Sequence, residues 1–196
     1  MTKSGNSQPD FVHDAGLFGF LLEDCSFADS QNIPIEIHSV EQEFLEAVVF
    51  DRECQVFKRV GARRTGGTTL LCMMALYYHT QCKKVAFIVP NSTVVHLAQE
   101  QLKDIMVEGY VHGTGNRTND CHLYVEGNLQ HPHNQNSHPI MFFYGDRKDD
   151  VLVALKGWRF DYIFMDTFHN GRFPQVYQAA QMQLNSGGKI IANVTP

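Results

Sequence analysis

The sequence predicts an α/β fold, a mostly parallel sheet with helices on both faces, in a three-layer sandwich. Three observations carry that expectation. Short apolar runs rich in β-branched and aromatic residues, at 84–89, 140–144, 161–165 and 189–194, alternate with segments of helical spacing. The stretch 68–78 is apolar on nearly all sides and too long for a typical strand, so it reads as a helix buried against a sheet. A chain of 196 residues, 43% hydrophobic and 19% charged, is sized for one ordinary core and is neither disordered nor fibrous in composition.

The elements follow in order. Residues 1–38 read as an N-terminal tail with a short helical segment, and 39–196 as the main domain. Ser39, three residues before Gln42, forms a capping-box pattern, and Val40, Phe44, Leu45, Val48 and Val49 then recur at helical spacing. A strand is expected at 55–60, a glycine-bearing turn at 61–67 and the buried helix at 68–78. The run 84–89 is a second strand ended by Pro90, and Asn91 or Ser92 caps an amphipathic helix to about 107. From 109 to 138 the chain turns polar, with only 122–125 extended, which reads as an insertion or surface hairpin. Strands at 140–144, 161–165 and 189–194 complete the sheet, with helices at 149–155 and 173–184 between them. Asp149 and Asp150 open the first of these helices, where negative charge complements the helix dipole.

Composition narrows the chemistry. The net charge of -5 leaves no global footprint for nucleic acid, although Arg52, Lys58, Arg59, Arg63 and Arg64 make a local basic cluster. The five cysteines, Cys25, Cys54, Cys72, Cys82 and Cys121, are odd in number and lack framework spacing, so disulfides are not expected. His112, His122, His131, His133 and His138, beside Cys121, lack the compact spacing of a zinc site and read as a solvated loop. Trp158, between Lys156 and Arg159, reads as packing near the 161–165 strand rather than as a base-stacking platform. No run approaches a membrane span and the start lacks a secretory pattern, so an intracellular, non-secreted protein without membrane partners is expected.

The first strand-to-helix loop is where chemistry is expected, because ligands of such sheets sit beyond the carboxyl ends of the strands. It reads Gly61-Ala62-Arg63-Arg64-Thr65-Gly66-Gly67-Thr68-Thr69. Against the phosphate-loop pattern G-x-x-x-x-G-K-[ST], Gly61, Gly66 and Thr68 fall on register, Thr69 extends it, and Gly67 stands where the lysine belongs. Glycines let backbone N–H groups curl around phosphate, the helix N-terminus adds positive potential, and the hydroxyl of Thr68 suits Mg²⁺. Arg63 or Arg64 can supply the missing charge. The competing account is a tight turn with solvent-facing arginines. The apolar strand 160–166 ends in Asp166, a candidate to hold Mg²⁺ opposite the loop, followed by Thr167 where a hydrolytic site would place Glu as general base.

The order of these segments resembles the ATPase domain of viral large terminases, DNA-packaging motors, over about 40–196. Residues 62–69 look like their arginine-containing phosphate loop, and 85–91 like the strand that ends in Pro and a small polar residue. The segment 155–166 is similar to the basic-Gly lead into their second nucleotide motif, and 190–196 to their Thr-rich coupling motif. Gln42 sits where such proteins often read adenine. The resemblance implies a P-loop NTPase-like sandwich binding ATP and Mg²⁺, with DNA, capsid or packaging proteins as partners, homo-oligomer assembly and a location in the host cell. Residues implied to hold nucleotide are Gly61, Arg63, Arg64, Gly66, Gly67, Thr68, Thr69 and Gln42, with Thr68 and Asp166 on the metal. Gly67 and Thr167 depart from the family pattern and imply impaired hydrolysis, which leaves the catalytic residues unassigned.

Two alternatives stay open beside an active ATPase using Arg63 or Arg64. The segments 145–146, 160–166 and 184–190 also look like the back half of a class I S-adenosylmethionine-dependent methyltransferase. Against it, Lys58, Arg59 and Val60 stand where its first loop needs an acid, and Pro90-Asn91 where its second strand should end in one. The other alternative is a protein that binds nucleic acid or capsid through the basic cluster and uses no nucleotide.

Overall fold

Period-two alternation places the side chains of each buried strand on opposite faces of a sheet, and helices cover both faces here. The computed structural model describes residues 39–51, 53–61, 66–80, 83–105, 111–117, 120–126 and 140–196. In chain order the elements are α1 (Ser39–Phe50), β1 (Val56–Val60), α2 (Gly67–Thr80), β2 (Val85–Val89), α3 (Ser92–Ile105), β3 (Val111–Arg117), β4 (Asp120–Glu126), β5 (Ile140–Tyr144), α4 (Lys148–Ala154), β6 (Phe160–His169), α5 (Phe173–Gln181) and β7 (Leu184–Thr195). They form a seven-stranded sheet in the order β1-β7-β6-β2-β5-β4-β3. The first five strands of that order are mutually parallel, and β4 and β3 extend the sheet antiparallel from β5.

The predicted three-layer α/β sandwich is the one observed. Strand β2 shows why its run is apolar throughout: Val85, Phe87 and Val89 join the core under α1, α2 and α3, while Ala86 and Ile88 join the core under α4 and α5. On the first face Phe87 stacks against Phe142 and Phe164, with ring centroids 5.6 and 6.0 Å apart. Helix α2 is buried from Leu70 to His79, as its uniformly apolar sequence predicts. Asn91 caps α3, its Oδ1 accepting the Val94 N–H at 3.2 Å.

Three differences from the sequence expectation have local causes. The polar segment does form a hairpin with β4, but β3 was not foreseen, because its Gly113, Gly115 and Asn116 carry no strand pattern and backbone pairing with β4 alone defines it. Strand β6 runs on to His169 through a bulge, where Asp166 pairs with Asn193 but Phe168 pairs with Val194. Thr167, the extra residue, has φ 59°, in the left-handed region that a β-branched residue rarely adopts. Strand β7 starts at Leu184 rather than 189, and its early part contains Gly187 at φ 77°. Trp158 stacks on Phe160 at the start of β6, centroids 6.4 Å apart, the packing role expected of it. The proposed tail at 1–38, Arg52, Cys82 and His131, His133 and His138 lie outside the described residues.

Candidate functional site

Strands β1, β7 and β6 lie side by side, and their register sets three polar residues in one row near the carboxyl ends. Arg59 pairs with Asn193, and Asn193 with Asp166. Each sits two positions beyond an apolar residue of the core under α1–α3, namely Phe57, Ile191 and Phe164, so all three project from that face. The row is bonded end to end. Arg59 donates from Nη1 to Asn193 Oδ1 at 2.9 Å, and Asn193 donates from Nδ2 to Asp166 Oδ1 at 2.7 Å.

Helices α1 and α2 close the row. Glu41 on α1 pairs with Arg59 at 3.4 Å, the two side chains being only 7% and 11% exposed. Thr68, in the first turn of α2, donates from Oγ1 to Asp166 Oδ2 at 2.8 Å. The turn into α2 depends on glycine twice. Gly66 has φ 76° and accepts the Leu70 N–H of the first helical turn, and a Cβ on it would come 3.0 Å from Glu41 Oε1. At Gly67 a Cβ would fall 2.4 Å from Asn193 Oδ1 and 2.6 Å from Nδ2, so no side chain fits there while the row is intact.

Asp166 is fully buried. Burial pushes its carboxyl above the ordinary aspartate value, and donors from Asn193, Thr68 and the Thr167 backbone, with the charge of Arg59, pull it partly back. Cys72, one turn beyond Thr68 on α2, is held as a neutral thiol by burial and by the Asp166 carboxylate. Thr167 Oγ1 is buried without a hydrogen-bond partner, next to Asp166 along the chain.

The structure brings together some of the predicted residues and separates others. Thr68 and Asp166 meet directly, with Gly66 and Gly67 at the same helix end. Gly61 continues the β1–β7 ladder, donating its N–H to Val194 O at 3.0 Å. Thr69 turns away, its hydroxyl accepting from Gln101 Nε2 of α3 at 2.7 Å. Gln42 is half-buried on α1 beside Glu41. Arg63 and Arg64 lie outside the described residues. The basic cluster is not one solvated face: Lys58 is exposed and bonds Asn170, while Arg59 is turned into the row.

Glu41, Arg59 and Asn193 escaped the sequence reading as site residues. For Arg59 and Asn193 the signal was strand phase: a polar residue on the buried phase of an apolar strand, at its carboxyl end, in β1 and β7 as well as β6. Among the described residues no group of three or more His, Cys, Asp or Glu side chains could hold a metal by itself, and no helix is long and apolar enough to cross a membrane. Thr68 and Asp166 do fit Mg²⁺, a hard cation that takes one or two carboxylates and completes its shell with water and substrate phosphate.

A strand, a glycine turn, a helix whose first turn carries a hydroxyl, and an aspartate facing it from two strands away meet at one end of this α/β sandwich. The fold is similar to that of the large terminase of a thermophilic bacteriophage, with TM-score 0.49 and 14% identity over 96% of this chain and 40% of that one. The same phage protein in complex with ATP-γ-S matches with TM-score 0.46 and 13% identity over 95% and 38%, and in complex with ADP with TM-score 0.43 and 14% identity over 70% and 33%. The chain thus spans about two fifths of the length of that terminase. No protein-family model matches the sequence, and no curated protein does.

Proposed function

We propose that this chain binds a nucleoside triphosphate with Mg²⁺ at the α2 N-terminus and hydrolyses it weakly or not at all, as a terminase-like protein of viral DNA packaging or nucleic-acid handling. The observation that carries the reading is the 2.8 Å bond between Thr68 and the buried Asp166. Phosphate is attracted to free N–H groups at a helix N-terminus, and a hydroxyl and carboxylate beside it suit a cation that neutralises the phosphate charge. Thr68 and Asp166 would hold Mg²⁺, which supplies charge stabilisation to the phosphates. Weak hydrolysis follows from Thr167, since a hydroxyl cannot take a proton from water usefully at neutral pH.

The test is thermal unfolding with Mg²⁺-ATP or S-adenosylmethionine. A ligand at 100 times its dissociation constant stabilises by about 2.7 kcal/mol, several degrees for a domain of this size. Mg²⁺-ATP should raise the transition of the wild type and fail to raise that of Thr68→Ala, with phosphate release near background. A shift with S-adenosylmethionine alone, or none with Mg²⁺-ATP, overturns the reading. Rapid phosphate release abolished by Arg63→Ala or Arg64→Ala would make the chain an active ATPase.

A further inference from the structure

Position 67 lacks the lysine of a phosphate loop, and the structure shows what occupies the space instead. The Asn193 amide lies where a Cβ at 67 would stand, 2.4 to 2.6 Å from it, and is fixed there by Asp166 on one side and Arg59 on the other. The Arg59 guanidinium is 2.9 Å from Asn193 Oδ1, and that oxygen is 2.4 Å from the Cβ position. Laid end to end these bound the guanidinium at about 5.3 Å from that Cβ, close to the roughly 5 Å reach a lysine's four-carbon stem gives its ammonium. Arg59 comes from β1, outside the loop, yet its charge is held at about the distance a lysine at 67 would reach.

We infer that Arg59 is the phosphate-binding cation of this site, replacing the lysine missing at 67, and that Glu41 is the counter-ion from which triphosphate draws it. A nearly buried ion pair costs desolvation that its attraction seldom exceeds, so its presence at a ligand site calls for a role beyond stability. Glu41 sits against Gly66 at the turn into α2 as well as on Arg59, so a phosphate arriving at the α2 N-terminus meets both the cation and its competitor. An arginine fork can satisfy two phosphate oxygens at once, and Asn193 keeps it aimed. The glycine at 67 is then a requirement of the design: Asn193 and a side chain at 67 exclude each other.

This inference rests on the nucleotide reading above, and the experiment separates the two. Mg²⁺-dependent affinities for ATP and AMP would be measured by titration on the wild type, Arg59→Gln, Arg59→Lys, Glu41→Gln and Gly67→Lys, with circular dichroism checking that each folds. Arg59→Gln should weaken ATP about tenfold or more, as the loss of a charge-assisted bond does, and leave AMP nearly unchanged. Arg59→Lys should recover part of the loss. Glu41→Gln should tighten ATP severalfold, because the cation no longer has to leave a carboxylate. Gly67→Lys should weaken ATP rather than restore a phosphate loop. Equal loss for ATP and AMP in Arg59→Gln would mark Arg59 as structural and overturn the inference, as would full ATP affinity in Arg59→Gln with loss in Arg63→Gln or Arg64→Gln. A wild type that binds no ATP would remove the nucleotide reading and this inference together.

Discussion

The two faces of the sheet are packed alike and equipped differently. Near the carboxyl ends of β6 and β7, the face under α1, α2 and α3 presents Asp166 and Asn193, bonded on to Arg59 of β1. The face under α4 and α5 presents Met165, Ala192 and Val194 at the same level, all buried and all apolar. Since both faces come from the same strands, the difference arises from alternate residues of one run. A single change of phase separates a core from a binding site, and the polar phase is tolerated because every member of the row is bonded to the next.

If packing is equal on the two faces, the largest losses should be equal too. Phe164→Ala on the site face and Phe168→Ala on the other each remove a fully buried ring, and each should cost about 3–5 kcal/mol in urea unfolding. A marked inequality would show that one layer carries the fold. Next comes the clash at the helix turn. Gly67→Ala should cost about 1–3 kcal/mol by overpacking against the Asn193 amide. In a double-mutant cycle with Asn193→Ala the two costs should fall short of additive by about 1 kcal/mol. Additivity would mean that Asn193 yields freely and the row is soft.

Smaller and opposite in sign is the effect of Asp166→Asn in metal-free protein. The folded state takes up the Asp166 proton at higher pH than the unfolded chain, so this group's contribution to stability is complete in acid and is lost as pH rises through its raised value. The variant lacks that loss, and its melting temperature relative to wild type should climb from pH 4 to 7 while Mg²⁺-dependent nucleotide affinity falls at least tenfold. A wild type that instead gains on the variant with rising pH would show that the donors outweigh burial. Smallest of all, Val153→Ser on α4, three-quarters exposed, should change stability by no more than about 0.5 kcal/mol.

The parallel strands and the helices covering them were legible because burial on both faces leaves an apolar run, as in β2 and β5, and a buried helix like α2 is apolar all round. Thr68 and Asp166 were legible because one follows a glycine turn and the other ends such a run. Glu41 was not, since its place opposite Arg59 depends on how α1 docks, which residues 39–50 do not encode by themselves. Arg59 was read as part of a local basic cluster because charge density along the chain ignores strand phase. Asn193 was noted only within a terminal motif, and its contact with Gly67 is a distance between residues 126 positions apart in numbering, which spacing does not reveal.

The bulge at Thr167 settles which face receives Phe168. In an unbroken strand, 164, 166 and 168 would share a side, and the phenyl ring would stand beside Asp166 on the site face. The extra residue advances the alternation by one step, and Phe168 is 1% exposed in the opposite core, with Met165 and Val194. Thr167 therefore works as a frame shift written into the backbone. Straightening the bulge with Thr167 kept in the strand would swing every later side chain of β6 to the other side and set an aromatic plug beside the carboxylate, whereas deleting Thr167 would leave Phe168 on the face it now occupies.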